Sequence, residues 1–279
     1  MTVSRATQTQ QSGLAKTMMA VPDPHPDVFD RQWPLRVADV DREGRLRLDG
    51  AARHIQDVGQ DQLREMGYEA THPFWIVRRT MIDLIRPINF QDMLRMRRWC
   101  SGTSNRWCEM RVRIDGKRNR GLIESEAFWI NISRETQMPS RISDDFLAGL
   151  QRTTSVDRLR WKAYLKPGNR DLTTGGAEIH EYPVRFTDID MFDHMNNSVY
   201  WTVVEDYLSA YPELLSAPLR VTLEHDAPVA LGDKLEIISH LHPAGSTEAF
   251  GPELVDRPVR TLTYMVGEEV KAIAAIFPL

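Results

Sequence analysis

The stretch TDIDMFDHMNN, Thr187 to Asn197, joins a segment that resembles a β-strand to one that resembles a helix. Before it, residues 182–186 read as extended chain, and after it apolar residues recur at helical spacing as far as Leu208. Acidic, imidazole and amide side chains are thus grouped where a helix begins and its first backbone N–H groups have no partner within the helix. The stretch predicts chemistry at a helix N-terminus.

A weaker copy of this stretch lies near the start of the chain. PLRVADVD, residues 34–41, matches PVRFTDID, residues 183–190, in its proline, its arginine, both aspartates and its apolar positions. The polar residues that follow are replaced, since the counterparts of His194, Asn196 and Asn197 are Arg45, Arg47 and Leu48. The match predicts an internal duplication with any catalytic centre in the C-terminal copy.

Length and composition fit two domains of ordinary size. The chain has 279 residues, of which 42% are hydrophobic, so it can bury a large core. No apolar run approaches the roughly 20 residues of a membrane helix, and no signal peptide is recognisable. Cys100 and Cys108 fit no metal motif and are interpreted as reduced core thiols. We expect a cytoplasmic protein without a membrane span.

Charge is unevenly distributed along the chain. Between Arg78 and Arg120 there are twelve Lys and Arg against four Asp and Glu, whereas from Pro183 onward there are six against fifteen. A basic half suits an acidic carrier protein, the phosphates of coenzyme A or nucleic acid. Strands with one solvated, arginine-rich face explain the same pattern.

The order of predicted elements repeats. Residues 1–27 are predicted to be a flexible arm, whose composition also faintly resembles a transit peptide. The first unit, residues 28–150, has a strand at 29–40, a helix at 49–66 capped by Asp49, and strands at 74–86, 93–100, 107–114 and 122–132. Residues 151–181 read as a linker. The second unit, 182–279, has a strand at 182–188, a helix at 197–209, and strands at 219–227, 233–242, 258–266 and 269–277.

A strand, a long helix and an antiparallel meander bury the apolar stripe of the helix most simply when the sheet curls around it. We therefore predict an α+β fold made of two hotdogs in tandem, each a curled antiparallel sheet around a central helix. Fusing the two supplies within one chain the partner that single hotdogs find by dimerising. A monomer with this internal pseudo-dimer and a homodimer both remain open.

The chain resembles the acyl-acyl-carrier-protein thioesterases, a double-hotdog family. The likeness is carried by HIQDVG at 54–59, WIVRR at 75–79, RWC at 98–100, residues 128–136 and the loop from Asp188 to Trp201. It implies hydrolysis of fatty acyl thioesters, with acyl carrier protein or coenzyme A as the partner and no cofactor or metal. It also implies that the first hotdog governs chain length.

Two positions depart from the family pattern. That pattern, Asp-x-Asn-x-His followed by Asn-Asn, is matched by Asp190, His194, Asn196 and Asn197, but Phe192 replaces the catalytic Asn. Farther on, Pro228 and Val229 replace a Glu-Cys pair. The loop nevertheless predicts Asp190, His194 and Asn196 as the catalytic residues.

Each of these groups has a chemical role in thioester hydrolysis. His194 is predicted to act as a base or to polarise water, and Asp190 to attack or to hold the water. The helix N-terminus at Asn197 and Ser198 is predicted to stabilise the oxyanion, with Asn197 as the helix cap. Asp226 is a candidate substitute for the missing carboxylate, since alternate residues of a strand share a face.

The acyl chain is expected beside the first central helix, against Ile55, Val58 and Leu63. The predicted function is release of free fatty acid from acyl-carrier protein. An acyl-coenzyme A thioesterase, a hotdog hydratase or dehydratase, and a non-catalytic acyl-binding module are the alternatives. Nucleic-acid binding is not expected, because the basic strands carry no recognisable motif.

Overall fold

The computed structural model describes residues 13–18, 20–22, 25–118, 120–165, 176–216, 218–247 and 250–279. The strands in this part of the chain are β1 (Phe29–Pro34), β2 (Trp75–Arg86), β3 (Met93–Thr103), β4 (Trp107–Gly116), β5 (Leu122–Asn131), β6 (Glu178–Pro183), β7 (Leu219–His225), β8 (Lys234–His242), β9 (Val259–Val266) and β10 (Glu269–Pro278). The α-helices are α1 (Leu48–Glu65), α2 (Asp144–Gln151), α3 (Asn197–Ser209) and α4 (Pro212–Ser216).

The ten strands form one antiparallel sheet whose order records the duplication. The order is β1-β3-β4-β5-β2-β7-β10-β9-β8-β6, so the second five strands repeat the first five in mirrored sequence. The halves join where β2 pairs with β7, from Arg79 opposite Glu224 to Leu84 opposite Leu219. The predicted tandem hotdog is confirmed, with the two units sharing a continuous sheet.

The two long helices pack against each other on one face of the sheet. Val58 of α1 and Val204 of α3 are fully buried in one apolar cluster that also contains residues from both half-sheets. Burial of apolar surface at roughly 25 cal/mol per Å² is the main stabilisation of such a core. Each central helix therefore begins beside the other, which brings the two loops of the duplicated sequence to the same interface.

Most predicted elements are present, with shifted ends. The first strands of the two units end at Pro34 and Pro183, not at 40 and 188, because the chain turns there into short 3-10 helices at Val37–Asp39 and Phe186–Asp188. Asp49 does not cap α1; it lies in the first turn, where it accepts hydrogen bonds from Arg47 and Arg53. Helices α2 and α4 were not predicted.

The opposite face of the sheet carries buried charges, and two segments cover it. Arg220 donates to the carbonyls of Leu14 and Lys16, while Lys16 Nζ lies 3.1 Å from Glu109. The flexible-arm prediction is therefore wrong for residues 13–18, because Lys16, together with Arg79, compensates the buried carboxylate of Glu109. Residues 1–12 of the arm lie outside the described residues.

The predicted linker is also partly structured. Glu224 accepts hydrogen bonds from the backbone N–H groups of Tyr164 and Leu165, which fastens this segment to β7. Strand β6 begins at Glu178, inside the predicted linker, and residues 166–175 lie outside the described part of the chain. The segment between the hotdogs thus contributes to the outer face of the sheet.

The basic stretch between Arg78 and Arg120 is largely compensated by carboxylates. Six of its arginines form ion pairs within the sheet or with strand ends, namely Arg78, Arg79, Arg95, Arg97, Arg111 and Arg113. Exposed basic residues remain at Arg86, Arg106, Lys117, Arg118 and Arg120. Among the helices that the structure describes, none has the length and apolar character needed to cross a membrane.

Candidate active site

The loops that precede the two central helices have the same backbone hydrogen bonds. In the first, the N–H of Asp41 donates to the carbonyl of Arg45, and in the second the N–H of Asp190 donates to that of His194, both at 2.9 Å. Gly44 and Asp193, at the same position of the two loops, both have positive φ, 84° and 58°. Positions 149 apart are therefore structurally equivalent.

Helix α3 begins at Asn197, and its N-cap is Asn196. The Asn196 Oδ1 accepts hydrogen bonds from the backbone N–H of Ser198 at 2.9 Å and from the Ser198 hydroxyl at 2.8 Å. The prediction of Asn197 as the cap is wrong by one residue, because the side chain of Asn196 reaches the second N–H of the helix. The N–H of Asn197 has no acceptor among the described residues, so it is available at the positive end of the helix.

Asp190 is half-buried beside this cap. Its Oδ1 accepts from the backbone N–H of Phe192 at 2.9 Å, and its Oδ2 lies 3.4 Å from the side-chain Nδ2 of Asn196. These contacts fix the carboxylate in front of the α3 N-terminus. Asp190 and Asn196 thus lie together at the start of α3, next to Asn197.

The imidazole of His194 is not part of this group. The side chain is exposed, does not line the cavity described below, and makes no hydrogen bond within the described residues. Its backbone carbonyl, by contrast, closes the loop by accepting from Asp190. The equivalent Arg45 is turned inward, so the shared backbone permits a side chain at this position to point toward the helices.

A cavity of about 760 Å³ opens in front of Asp190 and extends along α1. The second hotdog contributes Asp190, Phe192, Asn196 and Asn197 to its wall, and Ile55 and Leu63 line it from α1. Other apolar lining residues are Met66, Trp75, Cys108, Met110, Trp129, Phe146 and Leu150. Val58 was predicted to join them but lies in the core between helices and sheet, with no exposed surface.

Aromatic residues from both hotdogs form the outer end of the cavity. The ring of Phe192 meets the edge of Phe74 at 5.4 Å between centroids, and the guanidinium of Arg134 lies over the Phe74 ring at 5.7 Å. Phe192 is 47% exposed and Met191 86% exposed, so this end faces solvent. Phe192 therefore walls the mouth instead of supplying the polar group that the family pattern has there.

Asp226 does not reach the cavity. Strand β7 ends at His225, and the N–H groups of Asp226 and Ala227 both donate to the carbonyl of Lys271, which interrupts the alternation of side chains. Asp226 is exposed and lies 3.4 Å from Arg78. Its predicted role as a substitute carboxylate depended on unbroken strand geometry, which the structure does not have.

The segment that replaces the family's Glu-Cys pair does lie against the loop. The carbonyl of Val229 accepts from the N–H of Met195 at 2.8 Å, while the Val229 side chain is fully buried. Nearby, the rings of His225 and Tyr200 meet edge to face at 4.7 Å. Burial and the charge of Arg78 lower the pKa of His225 to about 3, so this imidazole is neutral near pH 7.

Several cavity residues were missed in the sequence. Phe146 and Leu150 come from α2, an eight-residue helix whose two buried residues, four apart, give little periodicity to detect. Gln56 and Asp57 also line the cavity, but they lie outside the apolar stripe of α1 from which the acyl-chain residues were predicted. Partial desolvation raises the pKa of Asp57, although its side chain is exposed. The duplication was the signal that could have singled out Gln56.

Both halves of the chain match models of one protein family. The acyl-ACP thioesterase N-terminal domain matches residues 26–150, and the acyl-ACP thioesterase C-terminal domain matches residues 173–278. An uncharacterised protein of Mycobacterium tuberculosis is 39% identical over 249 residues, which are 89% of this chain and 91% of that protein.

Solved structures share the fold at low sequence identity. A candidate oleoyl thioesterase from Lactobacillus plantarum superposes with a TM-score of 0.73 and 20% identity, covering 90% of this chain and 95% of that one. The 12:0-ACP thioesterase from Umbellularia californica gives a TM-score of 0.65 with 16% identity, covering 90% and 97%.

Proposed function

The chain belongs to the acyl-ACP thioesterase family and hydrolyses fatty acyl thioesters, and we propose that acyl carrier protein delivers the acyl group. In this assignment residues 28–150 hold the acyl chain and residues 182–279 carry the chemistry. The observation that supports it is a single cavity with Asp190 and the α3 N-terminus at one end and apolar side chains of the first hotdog along its wall.

The thioester carbonyl is assigned to the N-terminus of α3. The Asn197 N–H has no acceptor among the described residues, and the helix dipole favours negative charge there. As a nucleophile adds to the carbonyl, the oxygen gains charge, so a donor aimed at it is worth more in the transition state than in the ground state. Ile55 and Leu63 then flank the acyl chain on its way into the cavity.

Asp190 is assigned as the residue that positions and activates water. Its contacts with Phe192 and Asn196 orient the carboxylate, and water adds to the acyl carbon as Asp190 accepts a proton. The C–S bond then breaks, and the departing thiolate takes that proton. The products are a free fatty acid and the thiol of the carrier.

His194 is assigned an assisting role that needs a change of side-chain rotamer. At the equivalent position the guanidinium of Arg45 reaches Glu205 on the other central helix, which shows the direction available from this backbone. Turned the same way, the imidazole approaches the cavity from the α3 side and can polarise the water. Its exposure leaves room for this rotation.

Acyl carrier protein is favoured over coenzyme A by the family, and Arg134 at the cavity mouth provides a cation for an acidic carrier.

Because the two hotdogs complete one sheet within the chain, we assign a monomer as the working unit. Cys100 and Cys108 are buried free thiols, which suits the reducing cytoplasm.

The test is thiol release from a panel of acyl-carrier and acyl-coenzyme A thioesters. Asp190→Asn is expected to lower kcat by about 10² to 10⁴-fold, as loss of a general base does. Asp193→Asn is the matched control, because it makes the same charge change in the same loop at a positive φ that Asn tolerates. Equal loss in both variants, or retention of an acyl chain without turnover, contradicts the assignment.

The carrier is tested with one acyl group on acyl carrier protein, coenzyme A and pantetheine. Arg134→Glu is expected to reduce kcat/KM for the protein-bound substrate roughly tenfold more than for acyl-pantetheine, with the difference shrinking at high salt. Arg118→Glu, just past the far end of β4, is the control. Equal effects of Arg134→Glu on all three substrates argue against docking of an acidic carrier at the mouth.

A further inference from the structure

A side chain from α3 occupies the N-terminus of α1. Glu205 accepts a hydrogen bond from the N–H of Leu48, the first residue of α1, and bonds both terminal nitrogens of Arg45 at 3.1 and 2.8 Å. All three residues are nearly or fully buried. The first helix N-terminus is therefore closed by an internal carboxylate and its counterion.

The duplication places a counterpart of this side chain at the other terminus. Positions 149 apart are equivalent, so Leu48 corresponds to Asn197, Arg45 to His194, and Glu205 to Gln56. Gln56 is half-buried on α1 and lines the cavity together with Asp190 and Asn197. Its carboxamide makes no hydrogen bond with the described residues, whereas Glu205 makes three.

We propose that the Gln56 carboxamide crosses to the N-terminus of α3 and is the second donor, with the Asn197 N–H, to the thioester carbonyl oxygen. This assignment rests on the proposed function and adds a residue of the first hotdog to the catalytic groups. The first hotdog then does more than hold the acyl chain.

The chemistry of the two counterparts explains why only one terminus is open. Gln and Glu have the same length, but Gln is uncharged and its Nε2 donates, so it favours a carbonyl oxygen that is gaining negative charge. A carboxylate repels that oxygen and needs a cation, which Arg45 supplies at the first terminus. At the second terminus the neutral amide needs no counterion, and its Nε2 can donate to the same substrate oxygen as the Asn197 N–H.

Kinetics test the assignment with the near-isosteric variant Gln56→Met. We expect kcat to fall by about 10² to 10³-fold with little change in KM, as for loss of one oxyanion donor. Gln56→Glu should be at least as impaired at neutral pH and should recover as the pH falls, since a protonated carboxyl group can donate. Gln32→Met on β1 is the control. Unchanged kcat in Gln56→Met overturns the proposal.

Infrared spectroscopy gives a readout that does not depend on turnover. The probe is a ¹³C-labelled ketone analogue of acyl-pantetheine in which a methylene replaces sulfur, and its carbonyl stretch should lie at lower frequency in the wild-type complex than in Gln56→Met. A Gln56-dependent shift in a protein that hydrolyses no thioester would overturn the proposed function and support the donor. Hydrolysis by wild type with a shift and kcat insensitive to Gln56 would overturn the donor alone.

Discussion

The N-termini of the two central helices have the same backbone conformation but opposite side-chain chemistry. At the first, Arg45 and Glu205 fill the space in front of the N-terminus with a buried ion pair. At the second, His194 is exposed and Gln56 is neutral. Asn197 lines a cavity, and its N–H has no acceptor in the described part of the chain. In the proposed assignment, a duplicated helix N-terminus serves as a structural joint or as a reaction site, depending on which side chain crosses from the other helix.

The largest effect is expected when the N-terminus of α3 is given an ion pair like the one at the N-terminus of α1. The double variant Gln56→Glu/His194→Arg copies the ion pair at equivalent positions and is expected to lower thioester hydrolysis at least about 10³-fold, because the carboxylate takes the place of the carbonyl. Thiol release measures the loss, and circular dichroism checks that the fold persists. Activity near that of wild type would show that the two termini do not differ in this way.

Opening the first terminus should cost stability instead of activity. Arg45→Met leaves Glu205 buried without its cation, which is expected to lower the free energy of unfolding by about 3–5 kcal/mol in urea titrations. Arg42→Met, at a side chain that is 91% exposed, should change it by less than about 0.5 kcal/mol. Arg45→Met/Glu205→Leu should recover part of the loss, and a double variant no better than the single one would contradict the explanation.

Buried histidines in both halves respond to acid in the same direction, because burial lowers the pKa of His54 and the pKa of His225. His54 in the first half accepts from the indole of Trp33 and lies 3.2 Å from Asp39, whereas His225 forms no ion pair within the described residues. Burial lowers the pKa of His225 to about 3. The unfolded chain binds that proton near pH 6.5, so stability falls as the pH decreases from 6.5 toward 3 and rises again with pH.

The contribution of His225 is up to about 1.4 kcal/mol per pH unit in that window. His225→Phe removes the titrating group and keeps an aromatic ring against Tyr200, so its free energy of unfolding should depend less on pH between 6 and 4. His180→Phe, at an exposed position, is the control. Denaturant titrations at several pH values measure the slopes, and parallel slopes for wild type and His225→Phe would disprove this role.

The smallest expected effect concerns the length of the cavity. Helix α1 has 18 residues and α3 has 13, and Leu63 lies in the additional turns that extend α1 along the cavity. Leu63→Trp should shift kcat/KM toward shorter acyl chains by roughly tenfold. Val58→Ala should lower stability by roughly 1–3 kcal/mol without changing that preference, since Val58 lies in the core. The same preference profile in Leu63→Trp and wild type would exclude this wall as a determinant.

The repeated order of elements was predictable because each strand and helix has its own periodicity. The α3 range of 197–209 agrees with the structure, since polar and apolar patterns change abruptly at its ends. The α2 helix was not predictable, because it is stabilised by packing of Phe146 and Leu150 against strand residues distant in sequence. Likewise, the burial of residues 13–18 depends on carboxylates of the sheet that are distant in sequence.

Within the site, sequence spacing identified which loop holds Asp190 but not which way its neighbours point. His194 is exposed and Asp226 follows a broken strand end, and both facts depend on local backbone geometry that residue types do not encode. The crossing of Glu205 to α1 depends on the packing of the two helices. The duplication pairs Gln56 with Glu205, but only the structure shows that Glu205 reaches the start of α1.

In the proposed assignment, the ion pair of Arg45 and Glu205 also limits the number of acyl groups that one molecule binds. Two hotdogs related by symmetry offer two equivalent helix N-termini, whereas here one of them is filled by the protein itself. Titration with a non-hydrolysable acyl analogue should therefore saturate at about one equivalent per chain. Fusion of the two units in one chain allows the two halves to differ in sequence. The number of analogue molecules bound per chain measures this difference between the halves.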